Sequence, residues 1–88
     1  MKVEFNRLFA KDLRSIDLKH INSKVTEMIA AIETAETLAD LPNIKKIHGE
    51  KGHYRYRLGN FRIGIKLESD TVVLVRILDR KDIYKYFP

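Results

Sequence analysis

A stretch of alternating basic and apolar residues at positions 54–66 is the part of this sequence best suited to chemistry. It reads YRYRLGNFRIGIK. Because strand side chains point alternately to opposite faces, the pattern predicts one apolar face and one basic face. The basic face would carry Arg55, Arg57, Arg62 and Lys66. Such a row of cations suits an anionic ligand, and a polyphosphate backbone is the obvious candidate.

The Gly59-Asn60 pair predicts where two of these arginines meet. If these residues form a two-residue hairpin turn, Arg57 lies directly across the ladder from Arg62. Like charges that face each other across a ladder are destabilising. We interpret the pair as the mark of an anionic ligand that relieves the repulsion. A solvated basic face that only keeps the protein soluble is the alternative, and both interpretations stay open.

Two helices are predicted before this hairpin. Asn6 is suited to cap a first helix that ends near residues 15–17, and Asp17 is suited to cap a longer second helix. Pro42 would end that second helix, because proline cannot continue the hydrogen-bond ladder. The apolar positions of the two helices are Phe9, Leu13 and Ile16 in the first and Ile21, Val25, Met28, Ile32 and Ala35 in the second.

Strands are predicted at both ends of the chain. Val3 and Phe5 open a short strand, while residues 44–52 form a basic, turn-rich segment. A three-residue loop at 69–71 would pair the following run with the hairpin and turn its odd-numbered residues to the core. These are Val73, Val75 and Ile77, opposite Leu67, Ile65 and Ile63. Arg76 would then lie beside Gly64 on the basic face, where glycine leaves room for a ligand or a neighbouring backbone.

The order of elements predicts an α+β fold of one domain over residues 1–88. It comprises an N-terminal strand, an antiparallel helical hairpin, a three-stranded antiparallel meander that completes one sheet, and a short C-terminal helix or turn. The helices would cover one face of the sheet. Tyr54 and Tyr56 fall on the covered, apolar face and are expected in the core.

Charge and composition restrict the function further. Residues 1–43 carry six Lys or Arg against seven acids, whereas residues 44–88 carry eleven against five, so the net charge of +5 belongs to the strand-forming half. With no cysteine, no long apolar run and three scattered histidines, we expect a soluble cytoplasmic protein without a disulfide, a membrane span, a metal site or a cofactor. His48 and His53 are either acid-base candidates or surface residues.

Two motifs in this order resemble a known family. They are YRYRLGNFRIG at residues 54–64 and RILDRKDIY at residues 76–84, behind two helices. The chain resembles the RelE/ParE superfamily of toxin-antitoxin toxins over essentially its whole length, and its RelE branch most. The resemblance implies a ribosome-dependent endoribonuclease that cuts messenger RNA in the ribosomal A site. In such a cut a ribose 2′-hydroxyl attacks the adjacent phosphate in line, giving a cyclic phosphate and a free 5′-hydroxyl.

The resemblance also implies roles for individual residues. Arg55 and Arg57 match two strand lysines of the bacterial prototype, Arg62 its phosphate-binding arginine, Arg80 its general-acid arginine, and Tyr84 the tyrosine that orients the nucleotide. Further RNA contacts are expected from other basic and aromatic positions, which are Lys45, Lys46, Lys51, Lys66, Arg76, Lys81 and Tyr86.

Two departures from the family pattern bear on the chemistry. An arginine stays protonated, so Arg55 or Arg57 can stabilise charge but is a poor general base, and the base is unassigned. Asp79 stands where many relatives have a basic residue. Its carboxylate could accept a proton, or it could pair with Arg80 or Lys81 and weaken phosphate binding.

The expected partners follow from the same resemblance. They are a RelB-like antitoxin, the ribosome with its messenger RNA, and operator DNA reached only through the toxin-antitoxin complex. Two other functions remain open: a ParE-like inhibitor of DNA gyrase, and a module that binds RNA or ribosomes and blocks translation without cutting.

Overall fold

The fold is built on one mixed β-sheet. In the computed structural model, which describes residues 1–88, its strands are β1 (Lys2–Phe5), β2 (Ile44–Lys46), β3 (His53–Leu58), β4 (Phe61–Glu68) and β5 (Thr71–Asp79). The helices are α1 (Arg7–Ser15), α2 (Ile21–Thr34) and α3 (Ile83–Tyr86), with a 3-10 turn at Leu38–Asp40. The strand order is β1-β5-β4-β3-β2, with β1 parallel to β5 and the other pairs antiparallel. The predicted α+β class is confirmed, and the short strand β2 extends the predicted sheet.

The first helix begins and ends as its sequence predicts. Asn6 is its N-cap, with the side-chain oxygen accepting a hydrogen bond from the backbone N–H of Phe9 at 2.9 Å. The helix ends at Ser15, and Phe9 is the residue that it buries fully. A capping side chain therefore fixes the point where the chain leaves β1 and turns onto the sheet.

The predicted bounds of the second helix are wrong at both ends. Its N-cap is His20, which has a left-handed backbone (φ 74°), so Asp17 lies before the helix in the connection. The helix ends at Thr34, well before Pro42, because Leu38 is buried at 2% exposure in a separate 3-10 turn. The Asp40 carboxylate accepts a hydrogen bond from the backbone N–H of Thr37 at that turn. Burying Leu38 and forming this local cap are together more favourable than continuing α2 as far as Pro42.

The hairpin of β3 and β4 has the predicted register. Leu58 pairs with Phe61 around the two-residue turn, and Gly59 has the positive φ (61°) that this turn requires. Arg57 consequently lies opposite Arg62. The prediction that two arginines face each other across the ladder is confirmed.

The predicted register between β4 and β5 is wrong by one residue over half of its length. Glu68 pairs with Thr71, so the turn has two residues, and a bulge separates Gly64 from Ile65. A one-residue shift exchanges the faces of a strand, so Val72 and Leu74 enter the core in place of Val73 and Val75. The bulge inserts one extra residue and restores the predicted pairings of Ile63 with Ile77 and of Gly64 with Arg76.

The core lies between the helices and one face of the sheet. Its fully buried members are Phe9, Ile21, Val25, Met28, Ile32, Leu38, Tyr56, Ile63, Ile65, Val72, Leu74 and Ile77, with Tyr54 packed against them. The expected core positions of both tyrosines are confirmed. Because their neighbours Arg55 and Arg57 alternate with them, these arginines lie on the opposite face. None of the helices has the length and apolar character needed to span a bilayer.

Candidate nucleic-acid interface

A cross-strand row of residues organises the face of the sheet opposite the core. Lys45 on β2 pairs with Arg55 on β3, Arg55 pairs with Gly64 on β4, and Gly64 pairs with Arg76 on β5. The sequence predicts a turn-rich segment where β2 forms, so it gives Lys45 no fixed position. Formation of β2 places the ammonium group of Lys45 beside the arginines of the hairpin.

A shallow depression of about 400 Å³ lies at one end of this row. Its lining comprises Pro42, Asn43, Ile44, Lys45, Arg55, Arg57, Arg62 and Tyr84. Four of these residues are cationic and none carries a carboxylate. The chain contains three ion pairs, Lys2–Glu4, Lys66–Glu68 and Arg76–Asp12, and none of them involves a cation of the depression. The depression is therefore a concentration of uncompensated positive charge.

At two places in the depression, like-charged residues on adjacent strands lie directly opposite each other. They are Lys45 with Arg55 and Arg57 with Arg62. The Arg62 guanidinium is oriented by its own hairpin, since one nitrogen donates to the carbonyl of Gly59 at 3.0 Å and to that of Phe61 at 2.9 Å. An arginine held in this way presents its remaining N–H groups in a fixed geometry to an anion.

An aromatic ring closes one side of the depression. The guanidinium carbon of Arg55 lies 4.5 Å from the ring centroid of Tyr84, a distance typical of a cation–π contact. Tyr84 is nevertheless 65% exposed. The depression thus combines cations with an accessible aromatic face, and these two features suit a phosphate beside an unstacked RNA base.

The space predicted above Gly64 is filled by the chain itself. A Cβ atom on Gly64 would lie only 2.5 Å from the ring of Phe87, which is 3% exposed. The ring of Phe87 also packs on that of His53 at 5.6 Å between centroids. Ile83, fully buried at the start of α3, anchors the same segment. The glycine accommodates the C-terminal aromatic ring, so the expected occupant, a ligand or a neighbouring backbone, is wrong in both forms.

This contact predicts a stability effect at position 64. We expect Gly64→Ala to lower the free energy of unfolding by about 1–3 kcal/mol, the usual cost of overpacking, because Phe87 must move. In a Phe87→Ala background the same substitution should cost almost nothing. Urea unfolding followed by circular dichroism measures all four members of this double-mutant cycle. An equal cost in both backgrounds would show that the Phe87 ring is not what opposes a side chain at this position.

Arg76 stands at the other end of the cross-strand row and is already engaged. Its guanidinium donates to both carboxylate oxygens of Asp12, from Nε at 2.7 Å and from Nη2 at 3.0 Å. The side chains of Arg76 and Asp12 are 19% and 10% exposed. The hydrogen bond to Asp12 is the main cause that raises the pKa of Arg76 above its ordinary value. Since that value is already strongly alkaline, Arg76 stays charged under all ordinary conditions and adds no pH dependence there.

Comparison with known proteins places the chain in a family. The model of a family described as the ParE toxin of type II toxin-antitoxin systems matches residues 3–84. The curated Toxin RelE3 of Methanocaldococcus jannaschii is 44% identical over 89 residues, which cover 100% of both chains. The chain belongs to the RelE/ParE superfamily of type II toxin-antitoxin toxins. The resemblance predicted from the two motifs is confirmed.

Solved structures support the same RelE-like fold. The toxin in the RelB–RelE antitoxin-toxin complex from Methanococcus jannaschii matches with a TM-score of 0.80 at 39% identity, covering 97% of this chain and 99% of that one. YafQ from E. coli matches with a TM-score of 0.72 at 15% identity, covering 94% and 97%. RelE in the RelE–RelB complex from Pyrococcus horikoshii matches with a TM-score of 0.73 at 19% identity, covering 90% and 93%. The last two matches show the fold alone.

Four of the five residues predicted as catalytic in this RelE-like toxin line the same depression. The fifth, Arg80, is exposed and lies outside the lining. Its backbone N–H donates to the carbonyl of Asn60 at 3.0 Å, which ties it to the turn between β3 and β4. The Asp79 carboxylate forms no ion pair with Arg80 or Lys81. It accepts the backbone N–H of Lys81 at 2.9 Å and so stabilises the turn after β5.

The predicted RNA-contact residues of the toxin are scattered. Lys45 lines the depression, whereas Lys46 and Lys51 flank a separate loop surface together with His48. Lys66 forms an exposed ion pair with Glu68 at 3.4 Å, and Lys81 is exposed after β5. Tyr86 lies against Arg76, with 5.5 Å from its ring centroid to the guanidinium carbon.

Two residues of the toxin have a position that their local sequence does not reveal. Lys45 lies in IKKI, which has no clear alternation, and it reaches the site only because β2 pairs with β3. Asp12 looks like an exposed charge on α1 but meets Arg76, which is 64 residues away in sequence. The signal for Asp12 is its spacing, since with Phe9, Leu13 and Ile16 it completes the i, i+3, i+4, i+7 pattern of one helix face. No group of three His, Asp or Glu side chains is arranged to hold a metal ion.

Proposed function

We propose that this toxin is a ribosome-dependent endoribonuclease that cleaves messenger RNA in the cytoplasm and thereby stops translation. One observation carries the proposal: four cations and one exposed aromatic ring line a single depression that contains no carboxylate. Two of its cation pairs repel each other across the sheet, so an anionic ligand is favoured there. Phosphates beside an unstacked base match both features.

The lining residues suit the chemistry of an in-line attack by a ribose 2′-hydroxyl. Arg57 and Arg62 lie opposite each other on neighbouring strands and both line the depression, where they would stabilise the charge of the phosphorane. Tyr84 would stack on the base and orient the nucleotide. Arg80, at the edge of the site, would stabilise the negative charge of the leaving oxygen, which takes its proton from solvent because a guanidinium keeps its own. The products are a cyclic phosphate and a free 5′-hydroxyl.

The proton acceptor for the 2′-hydroxyl is the remaining role. Arginines cannot fill it, because the guanidinium does not release its proton in proteins. Lys45 is the only primary amine in the lining, and it lies opposite Arg55. We therefore favour Lys45 as the base candidate and treat Arg55 as a charge-stabilising neighbour. Asp79 does not line the depression, and one of its carboxylate oxygens accepts the backbone N–H of Lys81.

The direct test is primer extension on a defined messenger RNA in a purified translation system. We expect cuts at the A-site codon when the toxin meets ribosomes with an empty A site, and intact message when ribosomes are left out. The ribosome is expected to be needed because the toxin supplies cations but no strong acid-base pair, so positioning of the RNA must provide part of the rate. Intact message in both reactions, alongside growth arrest in cells, would contradict the proposal.

A second candidate is inhibition of DNA gyrase, which the ParE description of the matching family model favours. A supercoiling assay on purified gyrase would detect it. A third is binding to the ribosome without cleavage, which would block translation while primer extension finds no cuts. The convergence of Arg55, Arg57 and Arg62 favours nuclease activity over the gyrase alternative, because a protein target does not require so many phosphate-type groups.

A RelB-like antitoxin is the partner that we propose for the toxin. Two of the similar structures are RelE proteins solved together with RelB. Such a partner would neutralise the toxin either by covering the basic depression or by displacing the short segment that carries Tyr84. The toxin-antitoxin complex would then bind its operator DNA mainly through the antitoxin.

A further inference from the structure

The C-terminal segment, residues Ile83–Phe87, lies across the cross-strand row described above. Tyr84 packs on Arg55, Phe87 on Gly64, and Tyr86 on Arg76. Each of its three aromatic rings thus meets a different member of one row on three adjacent strands. The segment is docked at three points rather than hanging free after β5.

The two arginine-tyrosine contacts at the ends of the segment differ in charge. Arg55 has no acidic partner, and its side of the segment borders the basic depression. Arg76 is fixed by two hydrogen bonds to Asp12, whose carboxylate is held in turn by the backbone N–H of Ile77 at 3.2 Å. A fixed and neutralised arginine is a rigid support for an aromatic ring, whereas the uncompensated Arg55 is free to bind an anion.

From this arrangement we propose that Tyr86 and Arg76 are positioning residues, which dock the C-terminal segment so that Tyr84 lies at the depression. Both residues look like RNA contacts in the sequence. The structure gives Arg76 a protein partner instead, and Tyr86 packs on Arg76 away from the residues that line the depression. The kinetic part of this inference rests on the proposed nuclease function, whereas the docking itself does not.

The size of the expected effect follows from the contact that is removed. A cation–π contact at an exposed site corresponds to a factor of about two to five in an equilibrium constant. Tyr86 is 60% exposed, so Tyr86→Ala should remove this contact without unfolding the protein. Tyr86→Phe keeps the aromatic face and serves as the conservative variant. Lys85→Ala, which shortens an exposed neighbour on the same helix, is the matched control.

The first measurement reports on docking without any reference to RNA. The chain has four tyrosines and no tryptophan, so 3-fluorotyrosine labelling gives four fluorine NMR signals, and Tyr84→Phe identifies the one from Tyr84. In Tyr86→Ala we expect the Tyr84 signal to move towards the position of free fluorotyrosine. It should stay in place in Tyr86→Phe and Lys85→Ala. A Tyr84 signal unaffected by Tyr86→Ala would overturn the proposal.

The second measurement separates positioning from direct RNA contact. With ribosomes carrying an empty A site, Tyr86→Ala should lower kcat about two- to fivefold at unchanged KM, and Tyr86→Phe should restore the rate. A raised KM at unchanged kcat would instead assign Tyr86 to RNA binding and reject the positioning role. If the native chain does not cleave message, the proposed function fails, while the fluorine measurement still decides whether Tyr86 docks the segment.

Discussion

Arg62→Ala is expected to lower the rate of ribosome-dependent messenger RNA cleavage about 100- to 1,000-fold. That is the usual loss when one preorganised donor to a transition-state oxyanion is removed. The Arg62 guanidinium is aimed by its hydrogen bonds to Gly59 and Phe61, so its contribution does not depend on ordering a flexible side chain during the reaction. Single-turnover primer extension on A-site-programmed ribosomes measures the rate.

The same substitution should leave the fold intact and change its stability little, because the relieved repulsion from Arg57 offsets the two lost hydrogen bonds to Gly59 and Phe61. Arg62 faces Arg57, and removal of one member relieves a repulsion of about 0.2–1 kcal/mol. Arg62→Lys keeps the charge but loses the planar fork, so an intermediate loss of activity is expected. Arg7→Ala is the matched control, because this exposed arginine lies at the start of α1, outside the depression. If Arg62→Ala cleaves at the native rate, the depression is not the active site.

Asp12→Ala is expected to lower the free energy of unfolding by about 3 kcal/mol, a large share of the stability of a small domain. The carboxylate of Asp12 accepts three hydrogen bonds, two from Arg76 and one from the backbone N–H of Ile77. Its removal leaves a largely buried guanidinium and the backbone N–H of Ile77, which lies beyond the end of β1, without the acceptors they have in the native chain. Because Arg76 is still 19% exposed, we place the loss at the low end of the range for buried pairs.

Urea unfolding measures this effect, and two variants test its cause. Asp17→Ala removes an exposed aspartate in the connection between α1 and α2 and should change stability by no more than about 0.5 kcal/mol. Combining Asp12→Ala with Arg76→Met removes the unpaired charge and should recover part of the loss, because a buried pair costs most when only one partner is deleted. If the double variant is as unstable as the sum of both single variants, the charge of Arg76 is not what destabilises Asp12→Ala.

The hairpin and its arginines could be predicted from the sequence because everything that defines them is local. The period-two pattern of residues 54–66 assigns the faces, and the Gly59-Asn60 turn assigns the register. The first helix is local in the same sense, since Asn6 caps it three residues from Phe9. Arg55, Arg57 and Arg62 consequently reach one depression, whereas Tyr84 joins them only because the C-terminal segment packs on Arg55. The chemical roles of these residues stay predictions.

The errors fall where distant or weakly patterned segments compete. The α2 cap and the loop before β5 depend on His20 and Ser69, which both adopt a positive φ. Neither is a glycine, the residue type that would indicate such a backbone in the sequence. The β4–β5 bulge allows Val72 and Leu74 on one side of it and Ile77 on the other side to face the core. Which residues of β5 face the core depends on the helix side chains that pack against this strand. A single strand pattern contains no information about that packing.

By itself the sequence determined the class of fold, the basic hairpin and the family. Only the tertiary structure decided which cations stay available to a ligand. Pairing of β2 with β3 places Lys45 at the site, Arg76 forms an ion pair with Asp12, and Phe87 covers Gly64. The physical reason is that pairing along a strand depends on neighbouring residues, whereas neutralisation of a charge depends on whichever side chain folding brings within hydrogen-bond distance.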